Sequence, residues 1–151
     1  MAKLIEVISL EGGAVAPTFL KPLDVKTGTV SSIKVGYLVM EDGSNPGYYK
    51  AAPDTTDTDD TITGVANIDS TETAAADGVV DVVKGDRRLI CRMKATTPGN
   101  LAITVIGTKC TLDVSAGDYT VDENDTTKGF IEILDYDNTT DGNCIVAIDC
   151  V

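Results

Sequence analysis

The 151-residue chain has no histidine and no tryptophan. Without histidine there is no Ser-His-Asp or Cys-His catalysis, no imidazole metal ligand and no histidine pH switch. Positive charge is scarce, with 12 Lys and Arg against 24 Asp and Glu, a formal charge of −12. That balance opposes nucleic-acid binding, which needs cations along the phosphates. No stretch approaches the roughly 18 apolar residues of a membrane helix. The apolar run that starts at Leu4 is broken by Glu6 and Glu11, so it lacks the core of a secretory signal. The expectation is a soluble protein made in a cytoplasm, with neither nucleic acid nor membrane as partner. No phosphate-binding GxxxxGK[ST] loop is present, and no nucleophile has a visible base. An enzyme is therefore the weakest class, and no cofactor is expected.

None of Cys91, Cys110, Cys144 and Cys150 forms a CxxC pair, which leaves a zinc site weakly supported. Cys91 alternates with Leu89, Met93 and Ala95, and Cys110 alternates with Leu112 and Val114. Cys144 and Cys150 share their alternation with Val146 and Ile148. All four are expected as reduced thiols on the apolar faces of strands. A Cys144–Cys150 disulfide is excluded within one extended strand, where six residues span roughly 20 Å.

What is abundant is β-branched: 16 Val, 12 Ile and 20 Thr. Such residues favour strands, and the excess of 18 Asp over 6 Glu favours turns over helices. The expected fold is all-β, a β-barrel, β-tulip or sandwich-like domain of short antiparallel strands with an extended N-terminal arm. The arm is assigned to residues 1–31 and the β-domain to 32–151. The first stretch is electrically neutral, with Lys3, Lys21 and Lys26 against Glu6, Glu11 and Asp24, and it is punctuated by Gly12-Gly13, Pro17 and Pro22. Within it, KLIEVISL points Leu4, Ile8 and Leu10 one way and Ile5 and Val7 the other. A strand apolar on both faces must be covered on both. Either it runs through the domain core or it docks on another chain.

From residue 32 onward turn signals recur about every 8–12 residues, the spacing of a sandwich or barrel. Strands are expected at 33–40, with Ile33, Val35, Tyr37 and Val39 inward, and at 48–51, 62–68, 79–83, 88–95, 101–106, 109–114, 119–121, 130–134 and 143–151. ETAAA (72–76) reads as one helical turn, and PDTTDTDDT (53–61) as an exposed loop.

Three features invite a functional reading. DNTTDG (137–142) opens like a calcium loop, but Thr139 occupies the third position and Ile148 stands where a bidentate Glu is required. Solvated turn residues are the expectation there, and also for Asp57, Asp59 and Asp60. Adjacent Tyr48 and Tyr49 read as a hairpin with one ring per face. The segment KGDRRLICRMK (84–94) carries Lys84, Arg87, Arg88, Arg92 and Lys94 against one Asp. It balances charge on a sheet face, or docks an acidic partner or a neighbouring copy.

The order VGYLV (35–39), YYKA (48–51), ITGVANID (62–69) and DGVVDVVKGD (77–86) resembles the capsid decoration, or cement, proteins of tailed bacteriophages. The resemblance covers roughly residues 28–95. It implies a non-enzymatic β-barrel or β-tulip that assembles as a homotrimer on the outer face of the major capsid protein lattice and stabilises the head. Localisation on the virion follows from the same resemblance. It further implies a docking arm, here Lys3, Leu4, Ile5, Val7, Ile8 and Leu10. The long 96–151 region departs from smaller family members. Other readings are a tail-tube or fibre subunit, which would polymerise alone, and a carbohydrate- or cation-binding β-sandwich.

Overall fold

The computed structural model describes residues 5–10, 20–28, 32–53, 62–83, 88–127, 129–137 and 139–150. Their regular structure is all-β. The strands are β1 (Glu6–Leu10), β2 (Leu20–Val25), β3 (Leu38–Glu41), β4 (Tyr49–Ala51), β5 (Ile62–Ala66), β6 (Gly78–Val83), β7 (Leu89–Ala95), β8 (Lys109–Ser115), β9 (Asp118–Asp122), β10 (Ile131–Tyr136) and β11 (Asn143–Ile148).

Two closed systems result. The first is a barrel in the order β2-β4-β3-β5-β6. Its longest seam runs antiparallel from Leu20 opposite Val83 to Val25 opposite Gly78, and a parallel contact of Val25 with Tyr49 closes it. Leu23, Val25, Ile33, Val39, Ala66, Val80 and Val82 fill its interior. The second is a sheet in the order β1-β7-β11-β10-β8-β9. There β9 returns to β7 in parallel, Lys94 opposite Thr120 and Ala95 opposite Val121, so five strands form a ring. β1 lies antiparallel on the other half of the same β7 edge, from Glu6 opposite Arg92 to Leu10 opposite Leu89.

The two systems share a core. Leu38, Met40, Ile62, Val65 and Val83, from the wall of the first barrel, join Leu89, Cys91, Met93, Phe130, Ile133 and Val146 of the ring. Hence β3 is buried on both faces, Val39 into its own barrel and Leu38 and Met40 toward the ring. This is why LVM is a continuous apolar run and not an alternating one. Each such side chain contributes about 1.5–3 kcal/mol on burial. Tyr119 pins the junction: its hydroxyl donates to the Ala52 carbonyl at 2.7 Å, and its ring lies 4.5 Å from that of Tyr37.

Several expectations need correction. β1 pairs with β7 beside the ring and β2 is a stave of the barrel, so the described parts of residues 1–31 are joined to both closed systems by strand pairing. Of the two fates open to KLIEVISL, the segment from Ile5 onward takes the internal one. Residues 33–40 are not one strand. Gly36 adopts a left-handed φ of 80°, which L side chains resist, and the chain turns there before β3 begins. Val35 is thereby turned outward, 45% exposed, where an inward residue was expected. Residues 72–76 make no helical turn; the Thr73 hydroxyl instead accepts from the amides of Ala75 and Ala76. Residues 101–106 are not a strand, and two 3₁₀ turns, Pro98–Asn100 and Ile103–Val105, occupy this region. Most of the loop expected at 53–61 lies outside the described residues.

Candidate functional site

The residues singled out from the sequence do not converge. Of the arm set, Lys3 and Leu4 lie outside the described residues, as does the side chain of Leu10. Ile5 is buried in the shared core, Val7 packs against it, and Ile8 is 40% exposed beside a bulge that interrupts the register between Val7 and Ser9. The bulge releases Ile8 from the covering that a two-faced strand requires.

The described cations of the basic strip are met within the chain. Lys84 and Arg87 lie outside the described residues. Arg88 bonds Glu132 of β10 and lies 3.8 Å from Asp149, Arg92 bonds Glu6 of β1 at 2.7 Å, and Lys94 approaches Asp141 at 3.9 Å. Nearby, Lys109 bonds Asp149 at 2.6 Å. The result is an ion-pair lattice across the outer face of the ring, part-buried at Arg88–Glu132 and elsewhere exposed enough that each pair contributes only about 0–1 kcal/mol.

Carboxylates with lowered pKa act as turn braces. Asp77 accepts from the Thr27 amide and the Tyr48 hydroxyl, both at 2.8 Å, and these bonds hold its carboxyl below the ordinary value. The Lys26 ammonium completes this corner, 4.8 Å above the Tyr48 ring. Asp137 accepts from the Asn143 side chain at 2.6 Å and the Thr139 hydroxyl at 2.7 Å, so the calcium-like loop is spanned by its own hydrogen bonds. Glu72 is almost wholly buried. Its Oε1 accepts from the amide and hydroxyl of Ser32 at 2.5 and 2.6 Å. Burial pushes its pKa up, but the hydrogen bonds, led by Ser32, outweigh burial and hold it below the ordinary value. Among the described residues no group of three or more Cys, Asp or Glu side chains is placed to hold a metal ion.

Cys91, Cys110 and Cys144 are buried and Cys150 is half-buried, all as free thiols. Burial raises Cys91 furthest, Cys110 to about 11 and Cys144 to about 12. The thiolate is the nucleophile, so these three sulfurs are chemically quiet at neutral pH. A thiol-reactive dye is expected to label Cys150 alone in the native protein and all four thiols after denaturation. Native labelling of more than one thiol would contradict this packing. Because the folded pKa values lie above the ordinary thiol value, the stability linked to them is complete below about pH 8.5 and declines as pH rises further.

One concavity stands out that the sequence did not signal. A crevice of about 390 Å³ separates β1 from the first barrel, lined by Ile5, Val7, Val35, Val65, Ala66 and Val83, with Glu6 and Asn67 also at its walls. Among the described residues β1 pairs only with β7, so its outer edge borders this crevice. The Ile5 amide, bonded to the Gly36 carbonyl at 3.2 Å, bridges the two sides. Val35 and Gly36 reach the wall through the turn that breaks residues 33–40, which is why strand alternation pointed Val35 the wrong way.

Comparison with protein-family models, curated proteins and solved structures finds no match. The four segments that carry the resemblance fall at or beside β3, β4, β5 and β6, four of the five staves of the first barrel.

Proposed function

We propose that this chain is a non-enzymatic structural protein, a decoration subunit that binds the outer surface of a viral major capsid protein lattice and stabilises the shell, its copies grouping as a homotrimer. The observation that carries the reading is the apolar crevice beside the edge of β1 that no other described strand pairs with. An open strand edge supplies main-chain hydrogen bonds to an added strand, and apolar pockets at its side supply selectivity. The crevice belongs to a doubly closed scaffold with a shared core, which loses little conformational freedom on binding. The resemblance supplies the identity of the partner.

The reading assigns docking to the crevice rather than to a free arm. Shells assembled from the major capsid protein of the same virus are expected to co-sediment with this protein to a fixed saturating ratio. Val35→Glu, which puts a charge into the crevice from an exposed position, is expected to weaken binding about tenfold or more, the loss of roughly 1.4 kcal/mol. Absence of saturable binding by the unaltered protein would refute the reading. Spontaneous growth into long tubes would replace it with a tail-tube role.

A further inference from the structure

Three apolar residues of segment 101–106, Ala102, Ile103 and Ile106, are left exposed. Among the described residues Ile103 is 73% exposed, whereas the other exposed large apolar residues, including Val35, Ile8 and Ile106, reach 45% at most. The exposure belongs to a braced structure. The Thr97 amide and the Asn100 side chain donate to Glu123, itself buried, at 3.1 and 3.4 Å. Leu101 and Val105 pack on the shared core, and the Gly107 amide bonds the Ile133 carbonyl at 2.7 Å. Ile103 is thus presented on a fixed support, which lowers the ordering cost of any contact it makes.

The electrostatic setting narrows the partner. Residues 95–108 form the longest uncharged run in the sequence, 14 consecutive positions in a chain of charge −12. The described cations nearest in sequence, Lys94 and Lys109, already face Asp141 and Asp149. The segment itself carries no carboxylate to draw a cationic partner, and the Glu123 carboxylate that it touches is buried and already bonded to Thr97 and Asn100. An apolar centre with an uncharged rim of Thr97, Asn100 and Thr104 suits a surface of the same kind. Two copies of this chain repel through their net charge, and they approach at least cost where neither presents charge.

We propose that the 3₁₀ segment around Ile103 is the contact through which copies of this chain meet about the trimer axis, Ile103 and Ile106 of each copy being buried against those of its neighbours. The inference deepens the self-association included in the proposed function and rests on that part of it. It makes a specific claim about salt. Screening weakens repulsion between exposed charges as the Debye length falls from about 30 Å at 0.01 M to about 8 Å at 0.15 M. Association through an uncharged patch therefore strengthens with salt, whereas association through ion pairs weakens.

The test is sedimentation velocity on the full chain over a range of sodium chloride concentrations, for the unaltered protein, Ile103→Asp and Ile106→Asp. The unaltered protein is expected to form a discrete oligomer whose dissociation constant falls as salt rises. Ile103→Asp is expected to raise that constant about thirtyfold or more, the loss typical of a central anchor. Ile106→Asp acts in the same direction and more weakly. Both positions are exposed, and an unchanged melting temperature confirms that the variants fold. A protein monomeric at every salt concentration, or one whose oligomer ignores Ile103→Asp, overturns the proposal. Shell binding separates this from the broader reading. Ile103→Asp leaves the crevice intact and still binds shells, whereas failure of the unaltered protein to bind shells counts against the decoration role alone.

Discussion

Gly78→Ala is expected to be among the most damaging single substitutions in the molecule. A β-carbon at Gly78 would lie 2.0 Å from the backbone nitrogen of Glu72 and 2.5 Å from its Cα and from the Thr71 carbonyl carbon. All three are main-chain atoms, so no side chain can rotate away. The opposing segment is tied down on every side. The Thr71 amide bonds the Val79 carbonyl, the Thr71 hydroxyl accepts from the Val79 amide, and Glu72 holds Ser32 through its carboxylate. Relief of the clash must separate Thr71 from β6 or Glu72 from Ser32. Overpacking of a well-fitted site costs about 1–3 kcal/mol, and rigid main chain on the receiving side puts this case at or above the upper end. For a chain of this length about 3 kcal/mol corresponds to a fall in melting temperature of roughly 6–12 °C. Gly43→Ala is the control, since nothing lies within 4 Å of the added carbon. Thermal melts followed by circular dichroism decide the matter; equal melting temperatures for the two variants would mean that the 71–72 backbone yields freely.

Tyr119 is the second position of large effect, and here the substitution can be graded. Tyr119→Phe keeps the ring in the shared core and removes only the donor to the Ala52 carbonyl, a bond of 2.7 Å between the ring and the first barrel. An unmatched buried acceptor costs about 1–3 kcal/mol. Tyr119→Ala also removes the ring that packs 4.5 Å from Tyr37, and loss of a buried aromatic ring costs about 3–5 kcal/mol. Urea titrations are expected to show that ordering with a single transition for both variants, because Leu38, Met40, Ile62, Val65 and Val83 of the barrel wall are buried in the core of the ring and lose that cover if the ring opens. A second transition in Tyr119→Ala would show that the barrel and the ring are independent folding units.

The strands that the sequence reveals are those with one apolar face. LICRMKA alternates because β7 buries one side and leaves the other partly open, and it lies within a residue of its expected limits, whereas β11 starts where expected and ends three residues early, at Ile148. Segment 101–106 misleads for the same reason, since its β-branched residues carry strand propensity while its amides bond locally in 3₁₀ turns. Gly36 was visible as a residue but not as a turn, because the local bond of the Tyr37 amide to the Lys34 carbonyl is reinforced by tertiary bonds of Gly36 to Ala66 and Ile5. The basic strip was legible as a cluster. Its neutralisation was not, because Glu132, Asp141 and Asp149 reach it through the pairing of β7 with β11 and of β11 with β10. The crevice has no local signal at all, since its walls come from four distant stretches of chain.

The arrangement of β1 and β11 about β7 has a mechanical consequence. Both flank β7 and both run antiparallel to it, so they run parallel to each other. Glu6 lies level with Arg92 at the middle of β7, and Ile148 lies level with Leu89 at its start. Tension drawn outward at residues 6 and 148 acts along the strand axes, across the hydrogen bonds that join the three strands. Those bonds are loaded together in shear and not opened one by one as in a zipper. A protein strained between these two points resists extension through the whole width of the β1-β7-β11 seam at once, and its first rupture is the sliding of an entire strand.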